Sequence, residues 1–202
     1  MKNAVLKSIA ETGYNVGFGA KKHFATYDIV NKIPGIINIF AISFGIYALV
    51  IDSLSAKSLS ALILVLGVIG LYISMYETKK SSYDVVGKKF TEIYNDLCQL
   101  YREVKFTDEA DLSLFDKRHA DLRKQFYDQA ISDQILFSDW YAHYKFFWQH
   151  QIDWINEQKK FSLFRDKIPL SFLITIVFII IFIIWQFGCF NNIIAQIKNL
   201  CS

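Results

Sequence analysis

Cysteine is scarce in this chain of 202 residues, with only Cys98, Cys189 and Cys201. They form no Cys-x-x-Cys pair and no zinc spacing, and they are too few for a disulfide framework. Catalytic patterns are missing as well. There is no Ser/His/Asp order, no nucleotide fingerprint, no HExxH and no carboxylate pair outside solvated helix faces, so an enzyme is not expected. The net charge is only +3, which gives no reason to expect nucleic acid as a partner. The scarcity that matters most is local. Residues 33–51 and 58–76 hold no charged side chain, and neither does the stretch from Ile168 to Ile197.

The first two runs each have about the length needed to cross a bilayer at ~1.5 Å per residue. The turn between them, 52–57, is too short to hold a domain. A chain this small cannot bury two uninterrupted apolar helices in water, whereas in lipid a helix satisfies its own backbone. The pair is therefore a predicted transmembrane hairpin. A third transmembrane helix is predicted over 168–187, followed by a short tail, 188–202. Charge is concentrated elsewhere: 15 of the 22 basic and 16 of the 19 acidic residues lie within 77–167. That segment reads as a soluble helical module placed between membrane segments. The fold expected is an all-α membrane protein.

Residues 1–32 form a basic lead-in with Lys21, Lys22 and Lys32, and no cleaved leader is expected. Phe18, Phe24, Tyr27 and Ile29 give it an apolar side, which suggests an interfacial helix or turn. The run Gly17-Phe18-Gly19-Ala20-Lys21 resembles a phosphate loop but lacks the second glycine before the lysine and the following Ser/Thr. Its glycines read instead as flexible points ahead of the bilayer. Pro34 and Gly35 should open the first membrane helix.

Inside the hairpin, Ala41-x-x-x-Gly45 and Gly70-x-x-x-Ser74 are small-xxx-small pairs, and Ser60, Gly67 and Ser74 repeat every seven residues. Such stripes let helices pack closely, within a hairpin or between subunits of a homo-oligomer. Asn38 is the one strongly polar side chain in the first run, and an amide in hydrocarbon usually hydrogen-bonds another helix. These residues are the candidates for helix packing or a pore.

Beyond Tyr76 the helix should continue. Tyr83, Val86, Phe90, Ile93, Leu97, Leu100 and Val104 keep a three-four spacing, and Gly87 within it is a candidate hinge. After a turn at Thr107-Asp108-Glu109, a second seam of Leu112, Phe115, His119, Leu122 and Phe126 predicts an antiparallel, coiled-coil-like partner. His119 is expected at that interface. The stretch 131–161 is dense in aromatics, with Trp140, Trp148 and Trp154, and should lie at the interface or under the hairpin. Asp139, His143, His150 and Asp153 sit at spacings that invite a metal site, but no motif closes the geometry, and no metal or cofactor is assigned. Lysines and arginines flank 77–167 and the lead-in, whereas the 52–57 turn has only Lys57 and the tail only Lys198. This places the N-terminus and module in the cytoplasm, with Cys189 and Cys201 outside, where a disulfide could form, and Cys98 reduced.

The order of a basic lead-in with Tyr14-Asn15 and Lys21-Lys22-His23, a tight hairpin, then Tyr83 and a charged heptad helix reaching Leu100-Tyr101-Arg102 resembles the SLATT group of bacterial two-helix membrane effectors. The block from Ser138 to Trp148 and the segment from Phe164 to Leu170 look like a subfamily extension, and the third membrane helix departs from the two-helix plan. The resemblance implies an effector of a nucleotide-signalling defence system against phage. It would work beside a second-messenger synthase or sensor protein and permeabilise the bacterial inner membrane in an abortive infection. The alternative is a non-conducting adaptor that holds a partner at the membrane through the helical module. A small transporter or constitutive channel would need a fuller polar set than Asn38, Tyr47, Tyr72 and Ser74.

Overall fold

The computed structural model describes residues 2–50, 56–107, 112–150 and 152–186, and among these every regular element is a helix. The turn at 52–55, the acidic residues Asp108 and Glu109, and both tail cysteines lie outside the described residues. The chain forms two units, Met1–Lys160 and Phe161–Ser202.

The first unit is built on α1, Lys2–Val50, a single helix of 49 residues and about 74 Å. Pro34 lies inside it rather than at its start. Proline removes one rung of the backbone ladder, and here the helix runs on through the gap. The lead-in is likewise not an interfacial segment. Ile9, Ala10, Val16, Ala20, Ala25 and Val30 are at most 2% exposed, because α3 (Lys80–Phe106) packs along α1 while α5 (Ser138–Gln149) and α6 (Asp153–Lys159) also lie against it. A helix covered on more than one side has no single apolar stripe, which is why its pattern looked like a polar lead-in.

Small residues let those neighbours close in. An added Cβ at Gly17 would lie 2.8 Å from the Tyr94 ring and 2.9 Å from Phe146, and one at Gly13 would lie 2.2 Å from Trp154. These glycines are sites of close approach within a helix.

The seam on α3 is where the spacing put it, with Tyr83, Phe90, Ile93, Leu97, Leu100 and Val104 all buried. Its principal partner is α1, and α4 (Leu112–Gln129) adds a smaller contact. Phe126 of α4 reaches Phe90, with ring centroids 4.7 Å apart. His119, also on α4, is buried, and its Nε2 stands 2.7 Å from Thr12 Oγ1. That hydroxyl donates to the Ser8 carbonyl, so the imidazole N–H is the donor to Thr12.

α2, Ala56–Ser74, returns antiparallel to the upper part of α1, and a 3₁₀ turn at Glu77–Lys79 joins it to α3. The bonds from Met75 N to Tyr72 O, Tyr76 N to Ile73 O and Lys79 N to Tyr76 O mark this tightened stretch. A 3₁₀ segment between two α-helices is a common place for a joint. Gly87 lies 8 residues beyond it, in unbroken helix, and its absent Cβ leaves room for the Phe24 ring at 2.9–3.1 Å. Gly87→Ala should therefore lower the melting temperature of the wild-type chain. In a Phe24→Leu background the same change should raise it, since alanine favours helix by about 1 kcal/mol once the clash is gone. Equal effects in both backgrounds, read by circular dichroism in detergent, would remove the packing explanation.

In the second unit, α7 (Leu163–Asp166) is closed by Asp166, whose carboxylate accepts from the Ser162 backbone N–H at 2.9 Å. Pro169 then sits at the start of α8, Leu170–Gln186, and its carbonyl accepts from Phe172 and Leu173. The described part of α8 carries no charged side chain and is about 25 Å long, a little short of a bilayer core of about 30 Å.

Candidate functional site

Hairpin and helical bundle meet around a strap of irregular backbone, residues 130–137, most of which falls at the start of the aromatic stretch 131–161 expected at the interface or under the hairpin. The strap lies against α1, α2 and α3 together. Ile135 is 2% exposed and shares an apolar cluster with Val30 of α1 and Ile73 of α2, flanked by Ile29, Ile33, Ile37 and Tyr76. Each of those three side chains, once buried, contributes about 1.5–3 kcal/mol.

Polar bonds fix the rest of the strap. Thr26 Oγ1 donates to the Gln134 side-chain oxygen, and Gln134 Nε2 donates back to the Ile131 carbonyl at 2.7 Å. His23, 3% exposed, has Nδ1 2.7 Å from the Gly19 carbonyl, so that nitrogen carries the proton. Its Nε2 is then an acceptor for the Ile131 N–H at 3.3 Å. The Tyr83 hydroxyl donates to the Asp133 carbonyl, while the Asp133 carboxylate pairs with Lys79 at 2.9 Å. Leu136 N–H donates to the Tyr72 hydroxyl at 3.0 Å. The joint at 77–79 and the ends of both hairpin helices are thus tied to one short segment. Phe137 closes it in the left-handed region, φ 67°, where a bulky side chain is strained.

The candidate pore and packing residues differ in exposure. Ala41, Gly45 and Gly70 are partly covered. Asn38, Gly67 and Ser74 are exposed. A Cβ added at Gly45, Gly67 or Gly70 would meet nothing within 4 Å, so no neighbour in this chain requires glycine there. The Ser74 hydroxyl donates to the Leu71 carbonyl of its own helix.

The residues considered for a metal are dispersed. Asp139 pairs with Lys22 at 2.8 Å, His143 stacks edge-on to Phe18, and His150 packs 4.6 Å from the Tyr94 ring. No group of three or more potential ligands converges among the described residues. Asp28 gathers two cations instead, Lys32 at 2.7 Å and Lys145. Burial pushes its carboxyl pKa up, but the hydrogen bonds from Lys145 and Lys32 outweigh that and hold it below the usual range.

All four histidines are pushed below the ordinary imidazole pKa, each chiefly by burial. For His150 the value falls to about 4, helped by the Lys21 charge, and its buried Nε2 has no hydrogen-bond partner among the described residues. The unfolded chain takes up these protons near pH ~6.5, before the folded chain does. Stability is therefore fully present above that value and declines as pH falls from about 6.5 towards 4. Melting curves in detergent between pH 7.5 and 4.5 should show this decline, and His150→Gln should flatten it.

The chain matches the family described as SMODS and SLOG-associating 2TM effector domain 6 over residues 1–176. No curated protein and no solved structure matches it. The matched span takes in the whole 49-residue α1, the hairpin, the strap and the bundle, and ends within α8. On that match the chain belongs to the family of SMODS and SLOG-associating two-transmembrane effectors.

Proposed function

We propose that this protein is the membrane-permeabilising effector of a nucleotide-signalling defence system in bacteria, acting as a homo-oligomer in the inner membrane. The family name supports an effector role and an association with SMODS and SLOG partners. One observation carries the oligomer: Asn38, the one strongly polar side chain of the first apolar run, is exposed on the hairpin rather than held between its two helices. An amide in hydrocarbon needs a partner, and a neighbouring copy supplies one. Gly67 and Ser74 lie exposed on α2, where small residues would let another hairpin approach.

A signal received by the cytoplasmic bundle would reach the hairpin through the strap and the 3₁₀ joint, with Gly87 as part of the same lever. The excess of lysine and arginine flanking 77–167 supports a cytoplasmic bundle and N-terminus. The test is membrane potential and propidium uptake in bacteria after controlled induction, alone and with the neighbouring genes. Depolarisation ahead of growth arrest supports the effector. Intact membranes, despite confirmed insertion and an active signalling partner, would instead favour a non-conducting adaptor.

A further inference from the structure

Where α1 leaves the bundle, Ile29, Ile33 and Ile36 form one wall of an open groove of about 390 Å³, and Phe137, Trp140 and Tyr141 form the other. Its size is that of a cleft for a small ligand, roughly 300–1,000 Å³. Three features bear on what fills it. The groove is continuous with the membrane: Ile33 and Ile36 are the first residues of the apolar run, and Ile36 is 44% exposed. Its aromatic wall contains tryptophan and tyrosine, the side chains favoured at headgroup depth. Its rim is positive. Lys32 lines it with 60% of its side chain exposed, and it shares the single Asp28 carboxylate with Lys145, leaving one cation more than the local anions balance.

We propose that this groove binds one anionic phospholipid, with an acyl chain between Ile36 and Trp140 and the phosphate on Lys32. The bound lipid would fasten α5 to the start of the membrane-spanning part of α1. The proposal rests on the membrane placement of α1 and is independent of whether the protein conducts.

Full-length protein in detergent, offered equal amounts of phosphatidylglycerol and phosphatidylcholine with the same chains, is read by native mass spectrometry. Wild type should retain phosphatidylglycerol over phosphatidylcholine by roughly fivefold, the preference expected from one lysine at an anionic surface. Lys32→Gln should abolish the preference while keeping the wild-type melting temperature in phosphatidylcholine, because Lys145 still holds Asp28. Ile36→Trp, which fills the groove, should lose bound lipid of both kinds. Equal retention of the two lipids by wild type would overturn the proposal, as would an unchanged preference in Lys32→Gln. A photo-crosslinking residue at Phe137 gives an independent reading in intact membranes. An adduct with phospholipid supports the site, whereas an adduct with a second copy of the chain assigns the groove to a protein contact and overturns it.

Discussion

Gly17→Leu should abolish the cooperative unfolding transition of the bundle. The first carbon of any side chain at 17 lies 2.8 Å from two Tyr94 ring atoms and 2.9 Å from Phe146. Neither ring has room to retreat. Tyr94 is 4% exposed, its hydroxyl accepts from the Trp154 indole N–H at 3.0 Å, and His150 packs on it. Phe146 is fully buried and meets Tyr14 edge-on at 5.5 Å. Overpacking a fitted core costs about 1–3 kcal/mol for small additions, and four carbons in this slot exceed that. Total stability is only about 5–15 kcal/mol. The control is Gly45→Leu, whose Cβ enters open space and which should leave the bundle's melting unchanged. The measurement is thermal circular dichroism of both proteins in the same detergent. A Gly17→Leu protein that melts with the wild-type midpoint would show that the contacts of Tyr94 and Phe146 on α1 are not what hold the bundle.

That slot was in view in the sequence but was read differently. Gly13 and Gly17 are four residues apart, the spacing of one helix face, yet Gly17 read as a flexible point because the partners of this pair, Trp154, Tyr94 and Phe146, lie far along the chain. Features written in local spacing were legible. The two charge-free runs of the hairpin gave the membrane segments, and the heptad of α3 gave its buried face down to Val104. The partner of that face was not legible, because α1 carries apolar residues towards several neighbours at once and shows no stripe. The stretch at 130–137 was seen only as the start of an aromatic segment, and its long-range partners were hidden for a related reason. Its bonds join residues such as Thr26 and Gln134, 108 apart, and hydrogen bonds of that reach leave no period in a sequence.

Asn38→Leu should delay or prevent depolarisation while membrane insertion is retained. Leucine removes the amide from an exposed position in the apolar part of α1, a change that favours the hydrocarbon and so cannot impair insertion. In the proposed assembly, what it removes is a hydrogen bond to another copy. Such bonds between membrane helices are worth about 1–2 kcal/mol, so association should weaken by about tenfold per pair. A correspondingly higher level of induced protein should be needed for the same loss of potential. Asn38→Gln keeps the amide and should lie between the two. The readouts are a potential-sensitive dye at graded induction and cross-linking in isolated membranes. An Asn38→Leu protein that depolarises cells at the wild-type level would mean that the amide holds no assembly together.

Because α1 is one helix from the bundle to the far side of the hairpin, its two halves are locked in rotational phase. Each residue turns the helix by about 100°. Deleting one residue between Val30 and Asn38 would leave Ile9, Val16 and Val30 seated against their neighbours and swing the entire membrane face by more than a quarter turn. Removing seven would nearly restore the phase, while drawing the membrane portion about 10 Å towards the bundle. The helix thus behaves as a shaft, in which angle and height can be changed separately by the number of residues removed.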